Sequence, residues 1–297
     1  MLPEYPKSKK LDIDDLEQIS RHLKKHNADI CELCLTNLLI WKDFDRPELT
    51  LINGNLCILI TPPNEDPFFL EPIGDHKTAE TIATCLDHSG KISRASEKFI
   101  NKITAKDYKI SCLRNQFDYV YQTKALARLK GKKYDGKRNH IKRFVERFPD
   151  YKYIPLEKID AKKAHRLFEI WFEMKKHSRF FPKLAYQSQK NALKEAFELF
   201  DELHFTGGAI ELEGEMSGFV LASPLSAKML DVHFMYGHPA LQGNSQVLLW
   251  EACNKTFSSF EELNLEQDLG IPGLRRSKLS YYPLRLEKKY EIQPIQK

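Results

Sequence analysis

Residues 228–257, KMLDVHFMYGHPALQGNSQVLLWEACNKTF, read as one strand, one turn and one helix. Alternation over Leu230–Tyr236 puts Asp231, His233 and Met235 on one strand face and Leu230, Val232, Phe234 and Tyr236 on the other. A glycine-containing turn, GHPALQGNS, follows, and a helix opens near Asn244 or Ser245. A helix N-terminus offers amides without acceptors and the positive end of the helix dipole, which suits a pyrophosphate. Gln242, Gly243, Asn244 and Ser245 are therefore the candidate cofactor-binding residues, Gly243 being expected to let the main chain approach the ligand. The same four residues also suit an ordinary helix start, and the turn by itself leaves both readings open.

Working outward, the preceding stretch GGAIELEGEMSGFVLASP (207–224) is a hairpin turning at Glu213-Gly214-Glu215. Before it come two helices, DAKKAHRLFEIWFEMKKH from Asp160, with Leu167, Ile170, Trp171 and Met174 on one face, and a second over about 186–203. After it, ELNLEQDLG (262–270) reads as a strand, then a short basic helix, then a terminal strand in LRLEKKYEIQ (284–293). The first half has the same order. LDIDDLEQISRHLKKH and ICELCLTNLLIW are helical, and LTLINGNLCILI turns at Asn53-Gly54, a strong hairpin signal. FFLEPIG is a strand, 77–88 a helix, and a basic helix spans about 136–148. The pattern predicts two α/β domains, 1–150 and 151–297, joined near Pro149–Pro155. DHKT after FFLEPIG lacks the glycine-rich turn, so the first domain is expected to be structural and the second to carry the site.

The stretch NLEQDLGIPGLRRSKLSYYP (264–283) holds most of the remaining chemistry. Glu266 and Asp268 are two apart on the expected strand, so they share a face; Arg275 and Lys278 share one on the helix that Pro272 opens. Both signs of charge close together suit an aminoacylated or zwitterionic substrate, with Tyr281 beside them, and suit internal salt bridges equally well. His233, whose ordinary pKa lies near neutrality, is a candidate base, its plain alternative being a structural histidine paired with Asp231. Residues 128–144, RLKGKKYDGKRNHIKRF, concentrate eight Lys/Arg in a chain of net charge +5. That run is either a solvated face or a site for a nucleic-acid backbone.

The two motifs LKGKKYDGKRNHIKRF and NLEQDLGIPGLRRSKLSYYP resemble the DUF2156 group, which is related to the C-terminal domain of phosphatidylglycerol lysyltransferase. The resemblance implies an α/β (α+β) fold of two tandem GNAT-like domains akin to the Fem peptidyltransferases, with mixed sheets flanked by helices. It implies acyl or aminoacyl transfer from acyl-CoA or aminoacyl-tRNA to an amine or hydroxyl, with no tightly bound cofactor and no metal. His233 and Asp268 are then the catalytic candidates. Lys137, Arg138, Asn139, Glu266, Arg275, Lys278 and Tyr281 are the substrate-binding ones, Lys137-Arg138-Asn139-His140-Ile141 resembling the Fem K-R-x-N-I pattern. QGNS matches the GNAT phosphate loop only in part, which keeps a non-catalytic module binding tRNA or another polyanion as the alternative. The expected partners are tRNA and a small-molecule, peptide or lipid acceptor.

Composition bounds these readings. Of 297 residues 42% are hydrophobic and 29% charged, as in a globular protein with a sizeable core. No run of eighteen apolar residues suggests a membrane span, and MLPEYPKSKK lacks a signal-peptide core, so the expected location is the cytoplasm. Cys31 and Cys34 form a CxxC inside an apolar run with no second pair, and are expected as buried thiols rather than metal ligands.

Overall fold

The computed structural model describes residues 1–27, 29–176 and 183–295; the His177 end of the helix expected from Asp160 lies outside them. Along the chain the first strands are β1 (Lys9–Lys10), β2 (Glu48–Ile52), β3 (Asn55–Ile60), β4 (Phe68–Phe69), β5 (Ile92–Ser96) and β6 (Tyr108–Cys112). Then come β7 (Asp118–Gln122), β8 (Lys152–Pro155), β9 (Thr206–Leu212), β10 (Glu215–Pro224), β11 (Met229–Gly237), β12 (Glu262–Asn264), β13 (Arg285–Glu287) and β14 (Lys289–Pro294). The helices are α1 (Leu16–His26), α2 (Leu35–Ile40), α3 (Lys42–Asp45), α4 (Thr78–Ser89), α5 (Glu97–Ile100) and α6 (Thr123–Arg128). They continue with α7 (Asp135–Arg147), α8 (Ala161–Lys175), α9 (Lys183–Glu198), α10 (Asn244–Asn254) and α11 (Pro272–Leu279).

Two mixed seven-stranded sheets result, ordered β1-β2-β3-β4-β5-β14-β6 and β13-β7-β12-β11-β10-β9-β8. Taken from β8, the second repeats the first. Four strands succeed one another antiparallel, one parallel step follows (β4–β5, β11–β12), and an antiparallel neighbour comes next. That neighbour is exchanged along the chain, the first sheet taking it from the C-terminal β14 and the second from β7. Hairpin β2–β3 turns at Asn53 and Gly54, both left-handed (φ 52° and 79°), the backbone a two-residue turn needs to match strand twist.

Packing divides the chain into two compact units, Met1–Asp118 with Gln267–Gly270 and Leu286–Lys297, and Tyr119–Glu266 with Ile271–Arg285. Element order restarts at β8, near the expected join, but the division by packing comes earlier. Strand β7 pairs with β12, and α6 and α7 pack on α10, so residues 119–151 belong with the second sheet. The expected terminal strand LRLEKKYEIQ likewise splits into β13 and β14, one in each sheet.

In the first unit Ile52, Phe69, Ile82, Leu86, Ile92, Phe99 and Ile292 form one core cluster. In the second, α8 buries Ala164, Leu167 and Phe168, while Met174 of the expected face is half exposed, the buried stripe lying one step round the helix. Helix α10 buries residues on all sides because it contacts β9, β10 and β11 as well as α6 and α7. No helix among the described residues is long and apolar enough to cross a membrane.

Candidate active site

Strand β11 pairs in parallel with β12 only at Met229, Leu230 and Asp231, opposite Glu262, Leu263 and Asn264. Strand β12 then ends, while β11 runs on to Gly237. One step beyond the parting the pairing with β10 shifts register: Leu221 faces Phe234 and Ala222 faces Val232. His233 is therefore the extra residue of a β-bulge, a device that re-aims a side chain and interrupts the alternation expected for this strand. Its Nδ1 lies 3.2 Å from Glu266 Oε1 and 3.9 Å from Asp231 Oδ2, and its Nε2 lies 2.8 Å from Ser223 Oγ. The Phe205 ring stands edge-on to the imidazole at 5.7 Å. The His233 side chain is completely buried. Its closest acidic partner is thus Glu266 rather than the Asp231 expected from the sequence.

The acids of ELNLEQDLG do not share a strand face, because the strand stops at Asn264. Glu266 has φ of +55°, a left-handed conformation rare outside glycine and asparagine. Three hydrogen bonds hold it there: its N–H donates to Asn264 Oδ1 at 2.8 Å, and its carbonyl accepts from Tyr119 N–H at 3.3 Å and Lys278 Nζ at 3.1 Å. Asp268 belongs to the first unit and is fully buried. It accepts from Arg114 Nη1 at 3.1 Å and from Gly270 N–H at 2.8 Å, so it fixes a turn. Lys278 also reaches the Leu265 carbonyl, so its ammonium sits on main chain rather than at a rim. Arg275 lies on α11.

The turn before α10 departs from the expected anion cradle. Gly243 has φ of +91°, and a Cβ there would stand 2.6 Å from the His140 carbonyl of α7 and 3.0 Å from Phe144 Cβ. Glycine is required because α7 crosses here, and the approach expected for a ligand is made by a helix instead. Asn244 is buried and donates through Nδ2 to the Ser217 carbonyl at 2.6 Å. Ser245 Oγ closes on Gly237, where a Cβ would meet it at 2.5 Å. Only Gln242 of the four is exposed. Gly243→Val should therefore destabilise the protein by roughly 2–4 kcal/mol, through backbone strain and overpacking together. Urea denaturation checks this; an unchanged midpoint would show that α7 yields.

In α7, Arg138 donates to the Leu129 and Gly131 carbonyls and pairs with Asp135, so it ties down the loop before the helix. Asn139 is exposed. Lys137 Nζ lies 3.6 Å from the centroid of the buried Tyr281 ring, a cation–π contact. Burial pushes the Lys137 ammonium down to about 8 and the Tyr281 phenol up. Tyr281 also hydrogen-bonds Gln246, and its carbonyl accepts from Tyr134. Since the folded value for Lys137 lies below the free-chain 10.5, the unfolded chain binds more protons between the two. The Lys137 contribution to stability should then rise with pH from about 8 to 10.5, and Lys137→Met should lose that rise, which denaturation midpoints across the window would reveal.

The sequence reading missed Ser223 and Asn264. Ser223 is a polar residue within an apolar strand, a weak signal, and the bulge that brings it to His233 cannot be read from alternation. Cys31 and Cys34 are buried thiols. In the first unit Cys31, Glu32 and Asp118 converge as metal ligands would, but the Lys289 ammonium occupies their midst, 2.6 Å from Asp118 Oδ1 and 3.5 Å from Cys31 Sγ.

The profile of the family described as "Phosphatidylglycerol lysyltransferase, C-terminal" matches residues 24–293. A conserved protein of unknown function from Bacteroides thetaiotaomicron has a similar structure, with a TM-score of 0.88 at 24% identity over 99% of this chain and 100% of its own. L-PGS from Bacillus licheniformis gives 0.63 at 14% over 100% and 95%, and FemX 0.60 at 9% over 97% and 97%. At such identities the likeness is one of fold, the tandem GNAT-like arrangement of Fem type. An uncharacterized protein of Mycoplasmoides gallisepticum is 22% identical over 179 residues, 60% of this chain. The chain spans about half, 56%, of the length of that curated relative.

Proposed function

The chain belongs to the phosphatidylglycerol lysyltransferase C-terminal family, and on that premise we propose that its second unit transfers an aminoacyl group from aminoacyl-tRNA to an amine or hydroxyl acceptor. One observation carries this reading: β11 and β12 part after three residue pairs, and a carboxylate–imidazole pair stands where they part. A strand that runs on past its neighbour leaves main-chain groups on one edge able to bind an extended acyl donor. An acceptor N–H or O–H meeting the acid can lose its proton to it. The new C–N or C–O bond forms at the donor carbonyl, the ester C–O bond breaks, and the departing ribose oxygen takes the proton back. Two substrates held in register need little else from the protein.

An ester donor is favoured over acyl-CoA by the turn before α10. Its glycine packs against α7, its Asn side chain donates to the Ser217 carbonyl, and its Ser hydroxyl packs against Gly237. A pyrophosphate would have to displace these contacts.

The test is transfer of radiolabel from a pool of charged tRNA, and separately from acetyl-CoA, to a mixture of amines, peptides and phospholipids. Label is expected to leave the tRNA and to remain on the CoA. Transfer from CoA alone would reverse the donor assignment. Salt-sensitive tRNA binding with no transfer from either donor would replace the enzyme by a binding module.

A further inference from the structure

We infer that Ser223, His233 and Glu266 form one hydrogen-bonded relay that aims the Glu266 carboxylate at the acceptor, Ser223 and His233 being positioning residues. The inference rests on the transferase reading for its purpose and on geometry for its existence.

The direction of each bond follows from donor chemistry. A carboxylate only accepts, so the 3.2 Å contact requires the His233 proton on Nδ1. In the Nδ1–H tautomer Nε2 is an acceptor, and at 2.8 Å the Ser223 hydroxyl is placed to donate to it. Asp231 Oδ2, at 3.9 Å from Nδ1, is too far to take that proton in place of Glu266.

Exposure then orders the three. Ser223 is wholly buried and the His233 side chain equally so, whereas the Glu266 side chain keeps 18% of its surface. A substrate can reach the carboxylate and not the groups behind it, so the candidate base expected from the sequence, His233, acts through Glu266. Two features argue against a merely structural cluster. His233 occupies a β-bulge, and Glu266 is held at positive φ by hydrogen bonds with three other residues. Both are local deformations of a kind that accumulates where a side chain must be aimed.

The imidazole nitrogens of ¹⁵N-histidine-labelled protein test the relay without any substrate. The wild type should give His233 as the Nδ1–H tautomer. Ser223→Ala should move the Nε2 resonance and leave the fold intact. An Nε2–H or doubly protonated ring, or resonances indifferent to Ser223→Ala, would overturn the relay. In the radiolabel assay Ser223→Ala should lower kcat on the order of 10- to 100-fold with KM unchanged, since a carboxylate out of line costs rate before affinity. An unchanged kcat would overturn the positioning role. Because the tautomer is measured on the protein alone, the relay can fail while transfer persists, and transfer can fail while the relay stands.

Discussion

Lys289→Met should lower the unfolding free energy by about 3–5 kcal/mol, the largest single effect on stability expected in this chain. Lys289 is wholly buried and bridges Asp118 and Glu32, with Cys31 Sγ at 3.5 Å. Burial alone would push its ammonium down, but Asp118, Cys31 and Glu32 together hold it above the usual lysine range. The cluster ties distant parts of the first unit together: the turn at Cys31–Leu33, the start of β7, the start of β14, and Gln267, which donates to Glu32 Oε1 and Cys31 Sγ at 2.9 Å. Removing the cation leaves two carboxylates in a low-dielectric interior. Adding Glu32→Gln and Asp118→Asn to Lys289→Met should therefore restore part of the loss, since the penalty belongs to the abandoned charges and not to the lost attraction. Denaturation of the single and triple variants checks both statements. A Lys289→Met protein within about 1 kcal/mol of wild type would mean that water reaches the cluster.

Glu266→Gln should reduce aminoacyl transfer by about 10²- to 10⁴-fold, the range spanned by a general acid–base group, while the unfolding midpoint stays put. The amide keeps the shape of the side chain and still accepts from His233 Nδ1, but it cannot take the acceptor's proton. Asp268→Asn is the natural contrast. Asp268 is buried, paired with Arg114, and caps the turn at Gly270, so its loss should cost about 1–3 kcal/mol of stability. Transfer should survive that change. Activity assays and melting curves on the two variants separate the roles, and equal loss of transfer in both would show that the two acids work together.

Local patterns carried most of the fold. Asn53-Gly54 and Glu213-Gly214 specify their turns through residues that sit at positive φ, a property of two or three residues alone. The helix–helix–hairpin–strand–helix order of both halves is written in apolar periodicity, and the family resemblance rests on residues contiguous in sequence. What was illegible needed distant partners. Whether LRLEKKYEIQ is one strand or two depends on which sheets have open edges, and β13 and β14 close different ones. The period-two reading of ELNLEQDLG fails at Glu266 because Asn264, Tyr119 and Lys278 stabilise a backbone conformation that alternation excludes.

The same holds within the site. His233 and Glu266 were recognisable as ionisable residues beside a turn and a chain break. Their pairing, and the part of Ser223, come from one extra residue in β11 that no repeat signals. Gly243 is expected from the sequence to let the main chain approach a ligand, and what approaches it is a helix a hundred residues upstream. The sequence by itself determined most of the elements, the two-fold repetition and the family, because each is encoded in local periodicity, turn chemistry and contiguous motifs. Only the tertiary structure decided which charges meet and which acid faces the solvent, because burial and hydrogen-bond geometry are properties of segments brought together by folding.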